Sequence, residues 1–430
     1  MSMFASAGIV LGVMVVVYII TKAFKLSTEL AMLAAAVAGG LAGGFGLPAR
    51  HYAEGAITYL DINLIFITAT LFMNIMKESG GVAFAVRGIL KRFHKNRAAL
   101  LVLLTVLLML PGALTGAGSV TVLITGGMVA VVLYYMGISK LRTAVIVFII
   151  AGMSAAAPPV SLWAMMAAAG VNMPFVGFFW PLLIPCTVAA LLTIFIVGWK
   201  GTEPDLGKAF AELPEPPSGM NWVRVFLPFI VFGLLIFIGR QWPHSTPILG
   251  LPLMFLLAAV TSFVLSPVKL DMLKISEDTI ERLLPLIATL TSVGVLVQIM
   301  TLTGVRGLLA VTAVTLPVVV VFASLFWLMP ISDAVLMYGA APVIGVPLVL
   351  LFNNIGLDPI VALAGMTVIW PLGDGLPPTA IIGRLTVSEI GCEEHYGTFL
   401  KACTVPAIII MVIGTLMVVF SKELSFLTGL

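Results

Sequence analysis

Residues 3 to 22, "MFASAGIVLGVMVVVYIITK", hold one charge, at Lys22, and apolar windows of this length recur along the whole chain. A helix of about 20 apolar residues crosses the ~30 Å hydrocarbon core of a bilayer. The expected fold is therefore an all-α polytopic membrane protein. The composition supports this: 61% of the 430 residues are hydrophobic and 10% are charged, with a mean hydropathy of +1.18. The first window lacks a basic start and is one of many, so it reads as a retained helix and not a cleaved signal. The net charge of +3 is spread over loops, which argues against a nucleic-acid partner. Cys186, Cys392 and Cys403 have no metal-type spacing and supply no disulfide framework.

Uninterrupted apolar length predicts further helices at about 28–45, 58–77, 175–199, 221–239, 247–267, 283–300 and 402–420. Four other hydrophobic stretches carry interruptions. Residues 98–137 and 307–355 are too long for one span and are broken by "LPGALTGAGS" (110–119) and "MPISDAVLMYG" (329–339), as re-entrant hairpins would be. Residues 142–169 and 360–387 are broken by "SAAAPPVS" (154–161) and "GDGLPPTA" (373–380).

The interruptions repeat. A shift of 219 residues places Pro111 on Pro330, Gly137 on Gly356, and the pair Pro158 and Pro159 on Pro377 and Pro378. Nearer the start of each half, "NIMKESG" (74–80) falls on "QIMTLTG" (298–304) at a shift of 224. These landmarks predict a duplication: a first repeat over 1–199, a linker at 200–220 rich in Pro, Gly and charge, and a second repeat over 221–430.

Charge tests the topology. Five crossings and one hairpin per half is an odd count, so the second repeat is expected to be inverted. With both termini outside, eighteen Lys and Arg residues face the cytoplasm, among them Lys22, Lys77, Arg282 and the run "RGILKRFHKNR" (87–97), together with the linker 200–220. Four, Arg50, Arg240, Arg306 and Lys422, face outward. This is the bias of the positive-inside rule. The basic run reads as an amphipathic helix at the anionic cytoplasmic surface.

A break inside the bilayer exposes backbone groups that cost several kcal/mol each against lipid, so it persists only beside protein or a polar cavity. Inverted repeats with broken helices around a midplane site describe a secondary transporter. The candidate binding residues are those at the breaks. In the first half they are Thr115, Gly116, Gly118 and Ser119 at the hairpin tip, with Thr121 beyond it, and Ser154, Pro158, Pro159 and Ser161 at the broken helix. The tip residues suit either a ligand or tight small-residue packing, and the serines either a ligand or their own backbone.

The second half offers Ser332 and Asp333 at the hairpin, and Gly373, Asp374, Gly375, Pro377, Pro378 and Thr379 at the broken helix. Intramembrane carboxylates are costly and point to cation or proton binding. Asp333 also suits a helix N-cap, and Asp374 a local cap. Ser119, Asp333 and Asp374 are the candidate Na⁺ ligands. Asn353 and Asn354 read as a helix C-cap region, Asp358 as a helix start and Asp61 as interfacial. None of the four breaks contains Lys or Arg.

The segments "TGAGSVTVLITG" with "APPVS", and "GLDPIVALAGM" followed by "LPPTA", in this order and spacing, resemble the large membrane subunit of tripartite ATP-independent periplasmic (TRAP) transporters, within the ion transporter superfamily. The resemblance implies an elevator-type carrier, with a transport domain of hairpins and broken helices sliding against a scaffold. It also implies Na⁺ coupling, uptake of small organic acids across the bacterial inner membrane, a small four-helix membrane partner and a periplasmic substrate-binding protein. Leu376 and "GDG" depart from that pattern at the second proline pair. Asp374, which falls opposite Ala155, or Thr379 is then the expected ligand there, or protons replace Na⁺.

The function expected is ion-coupled secondary transport of small carboxylates. Alternatives are a stand-alone dicarboxylate carrier or a cation/proton antiporter of the same superfamily and, outside carriers, a passive channel. No HExxH pair, clustered His or Cys, or phosphate loop suggests an enzyme or a pump, and no cofactor is expected.

Overall fold

The computed structural model describes residues 3–242, 247 and 249–429. All regular structure among them is helical, and nine of their helices are long and apolar enough to cross a membrane. Residues 1, 2 and 430, at the ends of the expected repeats, and residue 248, in the expected helix 247–267, lie outside the described residues.

Each half opens with a long apolar helix, Met3–Ala23 or Trp222–Gln241, and a shorter one, Thr28–Ala42 or Leu251–Val264. The third crossing is Leu60–Glu78 in the first half and the 31-residue Met272–Leu302 in the second. The latter starts well before residue 283. Its first turns carry Lys274, Glu277, Asp278, Glu281 and Arg282, so they fall outside an apolar window. Asp271 caps them, accepting from the Lys274 amide at 3.2 Å.

Gly80 and Gly304, with φ of 82° and 77°, turn each third crossing into a further helix, Gly81–Phe93 or Val305–Thr315. The second of these corrects the expected hairpin boundary at 307. Residues 305–315 are a separate element, and the hairpin arm Val318–Leu336 starts after Pro317, which lacks an amide donor. The uniformly apolar sequence hid that boundary.

The first hairpin descends through Arg97–Thr115, turns at Gly116 (φ 73°), and returns through Gly118–Thr121, a π-helical turn Val122–Gly126, and Gly127–Tyr135. The second descends through Val318–Leu336 and returns through Met337–Gly339, the π-helical turn Ala341–Gly345, and Val346–Asn354. Pro111 and Pro330 were expected as breaks but stay inside their helices. Both are buried against neighbouring helices, which support the backbone where the proline removes a hydrogen bond.

The broken helices are Lys140–Ala156 with Leu162–Gly170, and Pro359–Ile369 running into the 3₁₀ turn Trp370–Gly375 and then Ile381–Ile390. Asp358 Oδ1 caps the second, accepting from the amides of Ile360 and Val361 at 2.9 Å each. The π turns start at 122 and 341 and the resumed helices at 162 and 381, both pairs 219 residues apart. Closing helices Phe179–Gly198 and Tyr396–Val419 complete the halves.

Two packed groups result. The hairpins, broken helices and closing helices pack on one another, while the helices Met3–Ala23, Thr28–Ala42, Leu60–Glu78, Trp222–Gln241, Leu251–Val264 and Met272–Leu302 pack together. Beside the second group, Gly55 of the short helix Ala49–Ile57 meets Gly294 so closely that a Cβ on Gly294 would lie 2.2 Å from the Gly55 carbonyl oxygen.

Residues 200–220, expected as a linker, form a strap docked on the first half. The Thr202 and Asp205 amides donate to the carbonyls of Met136 and Tyr135 at 2.8 and 3.1 Å. Arg97 donates to the Thr202 and Gly198 carbonyls at 2.9 and 2.6 Å, and Arg87 to those of Phe210 and Leu213 at 2.5 and 3.0 Å. Within the strap, the amide and ammonium of Lys208 hold the Asp205 carboxyl below its usual range. The basic residues of 87–97 thus divide: Arg87 and Arg97 bind the strap, while Lys91 and Arg92 are exposed.

Candidate transport site

The second break is sewn to the second hairpin. Gly373 lies against the hairpin arm, where a Cβ would come within 2.4 Å of the Pro330 carbonyl oxygen and 2.7 Å of the Ala334 nitrogen. Only glycine permits that approach. Thr379 Oγ1 donates to the Ala334 carbonyl at 2.9 Å, and the Trp370 indole donates to Ser332 Oγ at 3.3 Å. Ser332 in turn donates to the Met329 carbonyl at 2.8 Å. The Gly375 carbonyl, freed by the unwinding, accepts from the Tyr396 hydroxyl at 2.6 Å. Pro377 and Pro378, which cannot donate, follow in an exposed bend; their peptide bond is cis, as is that between Pro158 and Pro159.

Two carboxylates meet at this seam. Asp333 is fully buried in the last turns of its helix, so it is not an N-cap. Its Oδ1 accepts from the Trp163 indole at 2.8 Å, while Oδ2 has no partner among the described residues. Trp163 belongs to the first broken helix and packs on Tyr338 with ring centroids 4.7 Å apart. Asp374 is 2% exposed, and its Oδ2 is also without a partner among the described residues. It caps no helix: the helix that follows starts after Ala380 with no side-chain cap. Buried carboxylate oxygens without partners are costly unless a proton or cation serves them.

Asp374 lines a cavity of about 520 Å³, together with Ser119, Pro378 and Thr379 from the sequence-predicted set. Lys77, Asn74, Tyr338, Lys22 and Arg282 line it as well. Lys77 Nζ donates to the Leu123 carbonyl in the first π turn at 2.8 Å, and Asn74 donates to Thr279 Oγ1 of the helix Met272–Leu302 at 2.8 Å. These residues were missed because the expectation looked for ligands only within the breaks. The signal was present in "NIMKESG", where Lys77 falls opposite Thr301 of "QIMTLTG".

The other predicted residues do not line this cavity. Thr115 Oγ1 donates to the Pro111 carbonyl at 2.7 Å, Gly116 turns the hairpin, and Gly118 packs where a Cβ would lie 2.9 Å from the Ala151 carbonyl oxygen. Ser154 joins the first broken helix to the hairpin: it is 2.9 Å from Thr121 Oγ1 and donates to Ala151 at 2.6 Å. A Cβ on Gly112 would lie 2.0 Å from its hydroxyl oxygen. Ser161 is buried with its Oγ unpartnered. Pro158 and Pro159 line a different cavity, of about 360 Å³, beside Trp180 and Arg240. The two proline pairs therefore do not converge on one space. Ser332, Asp333, Gly373, Gly375 and Pro377 lie behind the cavity wall or beside it, and among the described residues no group of three or more His, Cys, Asp or Glu is arranged to hold a metal ion.

The fold has counterparts among solved structures. The YdaH transporter of Alcanivorax borkumensis, described as having an unusual topology, matches 90% of this chain over 89% of its own, with a TM-score of 0.62 and 14% identity. This chain has a transporter fold. MtrF of Neisseria gonorrhoeae, described within a class of antimetabolite efflux pumps, matches 88% of this chain over 84% of its own, with a TM-score of 0.61 and 12% identity. No family model and no curated relative matches the sequence. At these identities the likeness is one of fold. Neither neighbour is a TRAP subunit, so the narrower resemblance drawn from "TGAGSVTVLITG" and "LPPTA" is not supported. Short glycine and proline motifs report a need to break helices, which unrelated carriers share.

Proposed function

We propose that this protein is an ion-coupled secondary carrier of small organic acids. The observation that carries the reading is the shared cavity of Lys77 and Asp374, a cation for a substrate carboxylate beside an unpartnered carboxylate for the coupling ion. Lys22 and Arg282 line the same cavity with Glu29, so its three cations outnumber its two carboxylates, which favours entry of anions. All three cations belong to the set that charge bias assigns to the cytoplasm, so the cavity opens inward in this conformation.

The matched elements of the two halves support inverted repeats, and the two packed groups support an elevator, with hairpins and broken helices moving against the remaining crossings. The Lys77 bond to Leu123 spans those groups and must break when they slide. Na⁺ served by Asp374 and Ser119 is the first coupling ion to test, and H⁺ on Asp374 the second. A separate four-helix subunit and a binding protein would make the system tripartite, which co-purification from the native membrane tests.

The deciding experiment is uptake of labelled organic acids into liposomes containing the purified protein, under an inward Na⁺ gradient, an inward H⁺ gradient, or neither. Acceleration by one gradient supports the reading. Transport that follows only the substrate's own gradient would make the protein a passive channel.

A further inference from the structure

A second large cavity, of about 480 Å³, lies between the helix Gly81–Phe93, the first hairpin arm Arg97–Thr115 and the helix Trp222–Gln241. Its size is that of a small-molecule site, roughly 300–1,000 Å³. Its walls are apolar, and the hydroxyl of Thr125 among them already donates to the Thr121 carbonyl at 3.0 Å. Water finds no set of polar partners there. Val106 and Phe226 on its rim are 47% and 51% exposed, so in a membrane it opens sideways to hydrocarbon.

We propose that this cavity holds an acyl chain of an anionic phospholipid whose phosphate is bound by Arg92. Val82, Ala85, Ile89 and Phe93 line the cavity at helical spacing, and Arg92, three residues beyond Ile89, shares that face at its cytoplasmic end. Arg92 is exposed, and no hydrogen bond or ion pair engages its side chain among the described residues. Apolar pocket and free cation are thus placed as the two ends of one lipid, in the leaflet where anionic headgroups concentrate. The lipid would bridge the first hairpin and the helix Trp222–Gln241, so its binding would adjust movement between them. The site stands independently of the substrate and coupling ion proposed above.

The test is native mass spectrometry of the intact purified protein with palmitoyl-oleoyl phosphatidylglycerol or the matching phosphatidylcholine. The protein should retain the anionic phosphatidylglycerol preferentially. Arg92→Gln, an exposed change, should lower that retention roughly fivefold, the effect of about one basic residue near an anionic surface. Leu107→Trp, which fills the cavity, should remove retention of both lipids, with the melting temperature confirming that the variant folds. Equal retention of the two lipids, no effect of Arg92→Gln, or full retention by folded Leu107→Trp would each overturn the proposal.

Discussion

The Trp163 indole donates to Asp333 Oδ1 at 2.8 Å, joining the first broken helix to the second hairpin across 170 positions of sequence. The bond ties the two halves together at the carboxylate whose other oxygen is unpartnered. Replacing Trp163 with Phe keeps an aromatic ring against Tyr338 and removes the donor. The expected loss is about 1–3 kcal/mol, the cost of leaving a buried acceptor unsatisfied. Thermal unfolding of the purified variant checks it, and an unchanged melting temperature would refute a structural role for the bond.

Gly373→Ala should damage the seam between the second break and its hairpin. The added methyl would meet backbone at 2.4 and 2.7 Å, which cannot move aside as a side-chain tip can. Overpacking of this kind costs about 1–3 kcal/mol. Gly307→Ala, where nothing lies within 4 Å of the added atom, is the matched control and should be near neutral. Equal stability of the two variants would contradict the close approach.

Asp374→Asn tests the coupling ion. The unpartnered Oδ2 holds nothing in the fold, so the variant should stay folded while its transport loses dependence on the ion gradient. Retained gradient dependence in proteoliposomes would return Asp374 to a structural role.

Lys77→Gln removes a cation from the cavity and preserves a donor for the Leu123 carbonyl. Substrate binding should weaken by roughly 10–100-fold, the equivalent of a charge-assisted hydrogen bond. Binding isotherms of the organic acid measure this, and unchanged affinity would remove Lys77 from the substrate site.

Much of this architecture could be read from residues alone because its causes are local. Proline lacks an amide donor and glycine accepts left-handed φ, so Pro377 and Pro378 mark a break and Gly137 and Gly356 mark turns wherever they occur. Pro111 and Pro330 show the limit of that logic. The same residue type leaves a helix intact when surrounding helices support it, and no sequence window contains those neighbours.

The amino-acid sequence by itself determined the membrane class, the common spacing of the breaks and the sites of the broken helices, since hydrophobic length and backbone chemistry act within a segment. Only the tertiary structure decided that Lys77 shares a cavity with Asp374, that Asp333 receives Trp163, and that Pro158 and Pro159 line a separate space. Those relationships depend on how distant segments cross, and crossing is settled by packing between helices whose apolar faces look alike along the chain.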